Sequence, residues 1–133
     1  MARVTGIGGV FFRADAPKEL KAWYAAQLGI PDAGGHVAFP WRHADDTSRE
    51  GMTVWETFPR DTKYFGPTQP AFMINYIVDD LDALLDSLRA AGADVDDRRE
   101  DHPYGRFAWV TDPEGNRIEL WEPPAKEPTI AAE

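Results

Sequence analysis

The sequence predicts an α+β domain made of two successive β–α–β–β–β units, whose strands form one curved mixed sheet around a central cleft with both helices outside. Two amphipathic stretches of helical period begin 64 residues apart, at Ala16 and Asp80. Each follows a run rich in β-branched and aromatic residues, and each precedes segments that alternate with period two. One such unit has too little apolar surface to enclose a core. Two can share one, and the cleft between them is where a small ligand would sit.

Residues 6–13, GIGGVFFR, form the first predicted strand. In DAPKELKAWYAAQLG, Asp15 or Ala16 stands at the N-cap, Pro17 suits the first turn and Gly29 suits C′, while Leu20, Trp23, Tyr24 and Leu28 share one face. Residues 36–41 (HVAFPW) and 52–58 (MTVWETF) read as strands, separated by a charged, solvated loop. Gly66, Pro67 and Pro70 mark residues 64–70 as a connector. The pattern then restarts with a strand at 72–79 and a helix capped by Asp80, whose stripe is Leu81, Leu84, Leu85 and Leu88 and whose end is Gly92. A short strand near Val95 precedes the charge run DDRRED at 96–101, which reads as a solvated loop. Residues 106–111 and 117–122 are strands joined by the DPEGN turn at 112–116. A single domain over residues 1–123 is expected, with units at about 5–62 and 71–122 and a flexible tail at 124–133.

Composition narrows the function classes. The 133 residues are 43% hydrophobic and 28% charged, the balance of an ordinary globular domain. The absence of cysteine removes disulfides, thiolate nucleophiles and Cys-ligated metals. Only Ser48 and Ser87 occur, neither in a G-x-S-x-G elbow, and no P-loop, GxGxxG or HExxH appears. Acidic groups outnumber basic ones 23 to 14, and the whole excess lies in residues 67–133. Such a surface repels nucleic-acid phosphates and anionic lipid, which sets both aside as partners. It serves solubility or favours a cationic ligand. No apolar run near the start is long enough for a signal peptide or a membrane span, so the expected location is the cytoplasm.

The segments FFRADAPKELKAWYAAQLG, NYIVDDLDALLDSLRAAGADV and above all YGRFAWVTDPEGNRIELWEP resemble the vicinal oxygen chelate superfamily, which includes glyoxalase I, bleomycin-resistance proteins and extradiol dioxygenases. The resemblance covers roughly residues 5–123. It implies a cleft but no single chemistry. In the metal-dependent relatives a divalent ion, held by His or Gln, Glu, His and Glu from the first and fourth strands of each repeat, chelates two neighbouring substrate oxygens. Carried over position by position, two of these ligands fall on Glu56 and Glu119, and the other two on Gly9 and Met73. Glycine offers no side chain, and a thioether is a poor ligand for hard ions. Two carboxylates alone would hold Mg²⁺ or Mn²⁺ weakly, or no metal at all. His36, His43 and His102 lie outside the ligand positions.

The resemblance and strand alternation together nominate the site. Glu119 and Glu56 are the candidate acid–base residues, each alternatively paired with an arginine or partly solvated. Phe11, Arg13, Met73, Asn75, Trp121 and Arg60 are the candidate substrate contacts. Arg13 would anchor an acidic substrate group or neutralise a glutamate. Trp23, Tyr24, Trp55 and Trp109 are assigned to the core, and Trp41, Tyr64, Phe65 and Tyr104 to the cleft rim. Beside a regulatory or accessory module whose cleft is vestigial, two functions stay open. One is a lyase, isomerase or epimerase acting on a small carbonyl compound by glutamate-mediated proton transfer. The other is a metal-free protein that sequesters a ligand or drug in the manner of bleomycin-resistance proteins. Dioxygenase chemistry is set aside, because both histidine positions are empty. The resemblance also implies a homodimer.

Overall fold

A computed structural model describes residues 2–31, 37–67 and 70–125. The elements in chain order are β1 (Val4–Ala14), α1 (Pro17–Leu28), β2 (Val37–Arg42), β3 (Glu50–Pro59), β4 (Phe72–Val78), α2 (Leu81–Ala90), β5 (Asp94–His102), β6 (Gly105–Thr111) and β7 (Arg117–Glu122). All seven strands belong to one mixed sheet in the order β2-β3-β1-β4-β7-β6-β5. This is the α+β architecture that the sequence predicts.

The repeat is visible in the register. Within each unit the first and last strands pair in parallel, β1 with β3 and β4 with β7. The units join through the antiparallel β1–β4 ladder, in which Gly9 faces Asn75 and Phe11 faces Met73. A shift of 64 residues carries one of these pairs into the other, so the spacing read from the helices is also that of a local two-fold. A register shift between Ile7 and Gly9 places Gly8 in a bulge at the centre of the sheet.

The convex face carries the helices. Asp80 caps α2, its carboxylate accepting from the Ala83 N–H at 3.1 Å, while the Leu81 N–H donates to Glu122 Oε1 at 2.7 Å. Leu81 and Leu85 are fully buried against Val78, Ala108, Val110 and Leu120, which stabilises the fold by about 2 kcal/mol per leucine. The first helix differs from expectation. No residue of α1 is buried, and Trp23 and Leu28 are 53% and 61% exposed. Of that stripe Tyr24 packs into an aromatic group with Phe12 and Trp55, and Trp23 meets the Tyr24 ring edge-on. The cause lies in the sheet beneath. Among the described residues the first unit has two strands after its helix where three were expected, so α1 covers β1 and β3 and overhangs the rest.

The charge run 96–101 is also corrected: it is part of β5, not a loop. An edge strand pairs on one side only and tolerates charge on both faces. Arg99 reaches Asp82 of α2 at 2.6 Å, and Arg98 on the opposite face lies over the Trp109 ring. Ion pairs two residues apart, Arg98 with Glu100 on one face and Arg99 with Asp101 on the other, stand in place of an alternation of apolar and polar residues. Among the described residues no helix is long and apolar enough to cross a membrane.

Candidate functional site

Strand alternation aims Phe11 of β1, Val54, Glu56 and Phe58 of β3, Asn75 of β4 and Glu119 and Trp121 of β7 at the concave face. They enclose a cavity of about 520 Å³ together with Gly8, Met52, Tyr64, Tyr104 and Phe107. Its walls are mainly aromatic and aliphatic. Among the described residues its only charged ones are the two glutamates. A wider open groove of about 980 Å³ lies past the start of β1, between Arg3, Trp41, Asp79 and Glu122, and includes neither of those acids.

Glu119 is 1% exposed. Oε1 accepts from Asn75 Nδ2 at 2.6 Å, and Oε2 accepts from Trp109 Nε1 at 3.0 Å and from the Tyr64 hydroxyl. No lysine, arginine or histidine pairs with it among the described residues. Burial pushes its carboxyl above the ordinary range, the three donors pull it part of the way back, and Glu100 adds a smaller upward push. The same burial, reinforced by the Glu119 charge, holds the Tyr64 phenol well above its usual value. Arg117, two residues away on the same face, is engaged elsewhere: it pairs with Asp96 at 2.9 Å and lies over the Trp109 ring.

Glu56 has the equivalent place in the first unit. It stands beside Phe11 as Glu119 stands beside Asn75. Its surroundings are different, because Lys21 of α1 reaches Oε1 at 3.1 Å and the Thr57 N–H donates to the same oxygen. The expected neutralising partner is therefore present, as a lysine. A single exchange, Asn75 for Phe11, gives one acid a neutral donor where the other meets a ring.

Five of the sequence-derived residues thus converge on one cavity: Glu56, Glu119, Phe11, Asn75 and Trp121. Met73 lies beneath the wall, fully buried against Phe11, Phe65 and Trp109. Arg13 stands outside it, with its guanidinium over the Phe65 ring and directed at the Thr62 carbonyl. Arg60 pairs with Asp15 at the surface. Of the rim candidates, Tyr64 and Tyr104 line the cavity, whereas Phe65 is fully buried. Trp109 is core, as expected, and also donates to Glu119. Three features went unread: the bonds to Glu119 from Trp109 and from the rim residue Tyr64, and the bulge at Gly8. Alternation along β6 could have found Trp109's role; nothing local announces that Tyr64 bends onto Glu119 or that Gly8 is bulged.

The donor set does not fit a divalent cation. Gly8 and Gly9 have no side chain, and the Met73 thioether is sealed in the core. Both oxygens of Glu119 face N–H and O–H donors, and an ammonium group holds Glu56. His43 is buried against Trp41, His102 is bonded to Glu100, and His36 lies outside the described residues. Among the described residues no three His, Asp or Glu side chains converge.

A family model for a glyoxalase-like domain matches residues 9–121. In a comparison with curated proteins, none matches the chain. Solved structures of the same fold include methylmalonyl-CoA epimerase from Mycobacterium tuberculosis, with 22% identity, a TM-score of 0.54 and coverage of 98% of this chain and 93% of that one. A variant of the Streptomyces coelicolor methylmalonyl-CoA epimerase in complex with 2-nitronate-propionyl-CoA shows 16% identity and a TM-score of 0.65 over 92% of this chain and 100% of that one. A glyoxalase/bleomycin resistance protein/dioxygenase superfamily member from Vibrio splendidus 12B01 shows 13% identity and a TM-score of 0.56 over 92% and 99%. At these identities the likeness is one of fold.

Proposed function

The chain belongs to the glyoxalase-like domain family, within the vicinal oxygen chelate superfamily, and on that premise we propose that it is an isomerase or lyase in which Glu119 moves a proton at the carbon next to the carbonyl of a small molecule. The observation that carries this is the Glu119 carboxyl itself, buried at the wall of an apolar cavity with neutral donors and no cation. Burial raises its proton affinity toward the range useful to a general base.

The surrounding groups accommodate both protonation states. Ionised, Glu119 accepts three hydrogen bonds. When it takes a proton on Oε2, the Tyr64 hydroxyl turns from donor to acceptor while Trp109, which can only donate, stays in place. The carboxyl then returns the proton to the enolate oxygen, giving the enol, or to the opposite face of the same carbon once the enolate has turned, giving the epimer, and both outcomes fall in the isomerase class. Phe107 and Trp121 form part of the apolar wall around this site.

A protein that binds without transforming is the second reading. It is favoured by a wall of aromatic and aliphatic side chains in which, among the described residues, no basic group stands to grip a carboxylate or phosphate. Incubation in D₂O with a panel of small ketones, thioesters and hydroxyketones separates the two, with deuterium incorporation followed by NMR. Wild-type protein should exchange the α-hydrogen of at least one compound, and Glu119→Gln should slow that exchange by about 100-fold or more. Equal rates for the two proteins would remove Glu119 from the reaction, and a rise in melting temperature without exchange would favour the binding protein. We carry forward a cytoplasmic homodimer as part of the same proposal, checked by mass in solution and by fractionation.

A further inference from the structure

Arg117 is the one basic side chain of β7, and the proton transfer proposed above gives it no task. It is 8% exposed, an unusual depth for a guanidinium. Nη1 pairs with Asp96 of β5 at 2.9 Å, and among the described residues the buried Nε has no hydrogen-bond partner. A buried donor left in that state costs stability rather than adding to it. The other contacts of the guanidinium are with the two groups that carry donors of Glu119.

The first is Trp109. The guanidinium carbon lies over its ring, 5.4 Å from the centroid, and Nε1 of the same indole donates to Glu119 Oε2 at 3.0 Å. The second is the connector. The Gly66 N–H donates to the Lys63 carbonyl at 3.0 Å and closes the turn that carries Tyr64. Gly66 has a φ of +67°, and a Cβ there would stand 2.7 Å from Arg117 Nη1 and 2.9 Å from Cζ. Backbone thus lies directly on the guanidinium, in a conformation that favours glycine. From that turn the Tyr64 hydroxyl reaches Glu119. Two donors from distant parts of the chain rest on one planar group.

We propose that Arg117 is a positioning residue, whose guanidinium, held by Asp96, sets the places from which the Trp109 indole and the Tyr64 hydroxyl donate to Glu119. It acts through these donors and stands outside the cavity wall. The role rests on the reading of Glu119 as the working acid, and it is tested by titration, which needs no substrate. The charges facing the guanidinium from β5 are Asp96 and, over the same indole ring, Arg98, while Glu100 adds its charge to Glu119.

The ¹³C titration of the Glu119 carboxyl is compared in the wild type, Arg117→Lys, Tyr64→Phe and the double variant. Lysine keeps the charge but has no planar face to lay on the indole and the Gly66 backbone. Arg117→Lys should move the titration to higher pH by about half a pH unit or more, most of the worth of one hydrogen bond. The Trp109 indole N–H signal should shift with it. In the Tyr64→Phe background the same substitution should move the titration markedly less, because one of the two positioned donors is already gone. Gly66→Ala alters no charge, disturbs the contact from the connector side and should move the titration in the same direction. An unmoved titration in either single variant, or an equal effect of Arg117→Lys with and without the Tyr64 hydroxyl, would overturn the role. Equal α-hydrogen exchange by wild type and Glu119→Gln, with the titration shifts present, would instead remove the proton-transfer reading and leave the positioning intact.

Discussion

The hydroxyl of Tyr64 donates to Glu119 although the two residues lie 55 positions apart, one in the connector between the units and the other in the last strand. The Tyr64 ring is held in place by stacking on Phe58, with centroids 5.5 Å apart and planes within 2° of parallel. The connector therefore closes one side of the cavity and supplies one of the three donors on its buried acid.

Tyr64→Phe removes that donor and keeps the ring. Losing a bond that favours the charged form raises the Glu119 pKa further. The ¹³C titration of the Glu119 carboxyl should move to higher pH than in the wild type, and any Glu119-dependent exchange should need a more alkaline solution. A stability loss of about 1 kcal/mol is expected from the missing hydrogen bond, read from denaturant midpoints.

The pH dependence of stability follows from the sign of the same shift. Glu119 has a raised pKa in the folded state, so its contribution is fully present below the ordinary glutamate value and is lost as pH rises through the folded one. Glu119→Gln should flatten this alkaline decline in a series of melting curves. Glu119→Leu should instead cost roughly 2–4 kcal/mol, since it strands the Asn75 and Trp109 donors in the core. Asp82, whose carboxyl is held low mainly by Arg106 and then by Arg99, acts oppositely and loses its contribution in acid.

Divalent ions are expected to leave the fold unchanged. With Glu119 facing three donors and Glu56 facing Lys21, millimolar Mg²⁺ or Mn²⁺ should not raise the melting temperature by mass action. A clear, saturable rise would show that the carboxylates can be recruited away from these partners.

Asp80→Ala removes the cap of α2, where the carboxylate accepts from the Ala83 N–H. The expected loss is about 1 kcal/mol in chemical unfolding. Asp80→Asn should retain most of the stability, because an amide oxygen can accept the same bond.

Both helices and the restart of the pattern were legible because each rests on local signals that the structure keeps, whereas the pairing of the units through β1 and β4 is a long-range contact that the sequence left open. Leu81 and Leu85 sit at helical spacing on a buried face, and Gly29 adopts the left-handed conformation that ends α1. β5 was hidden because both of its faces are polar or charged from Asp96 to His102, on an edge that solvent reaches, so no apolar alternation marks it. At the site, Glu119, Glu56, Asn75 and Trp121 followed from alternation once the strands were placed in the resembling family. The neighbours that give Glu119 its character did not follow. Tyr64 reaches it from a connector with no period, and the close approach of Gly8 to Asn75 depends on a bulge that a Gly-Gly pair permits but does not announce.

The way the two units share one sheet also sets the order of assembly. The parallel pairings of Gly9 with Val54 and of Ile74 with Ile118 each close a loop of more than forty residues, whereas β5, β6 and β7 meet through short turns. Loop closure over that distance precedes any reward in contacts, so refolding should be slow for a chain this size, on the order of milliseconds to seconds. The C-terminal hairpins should gain amide protection first. Until β1 meets β4, each unit presents a long unpaired strand, and crowded refolding should yield chains exchanged between copies rather than faster folding.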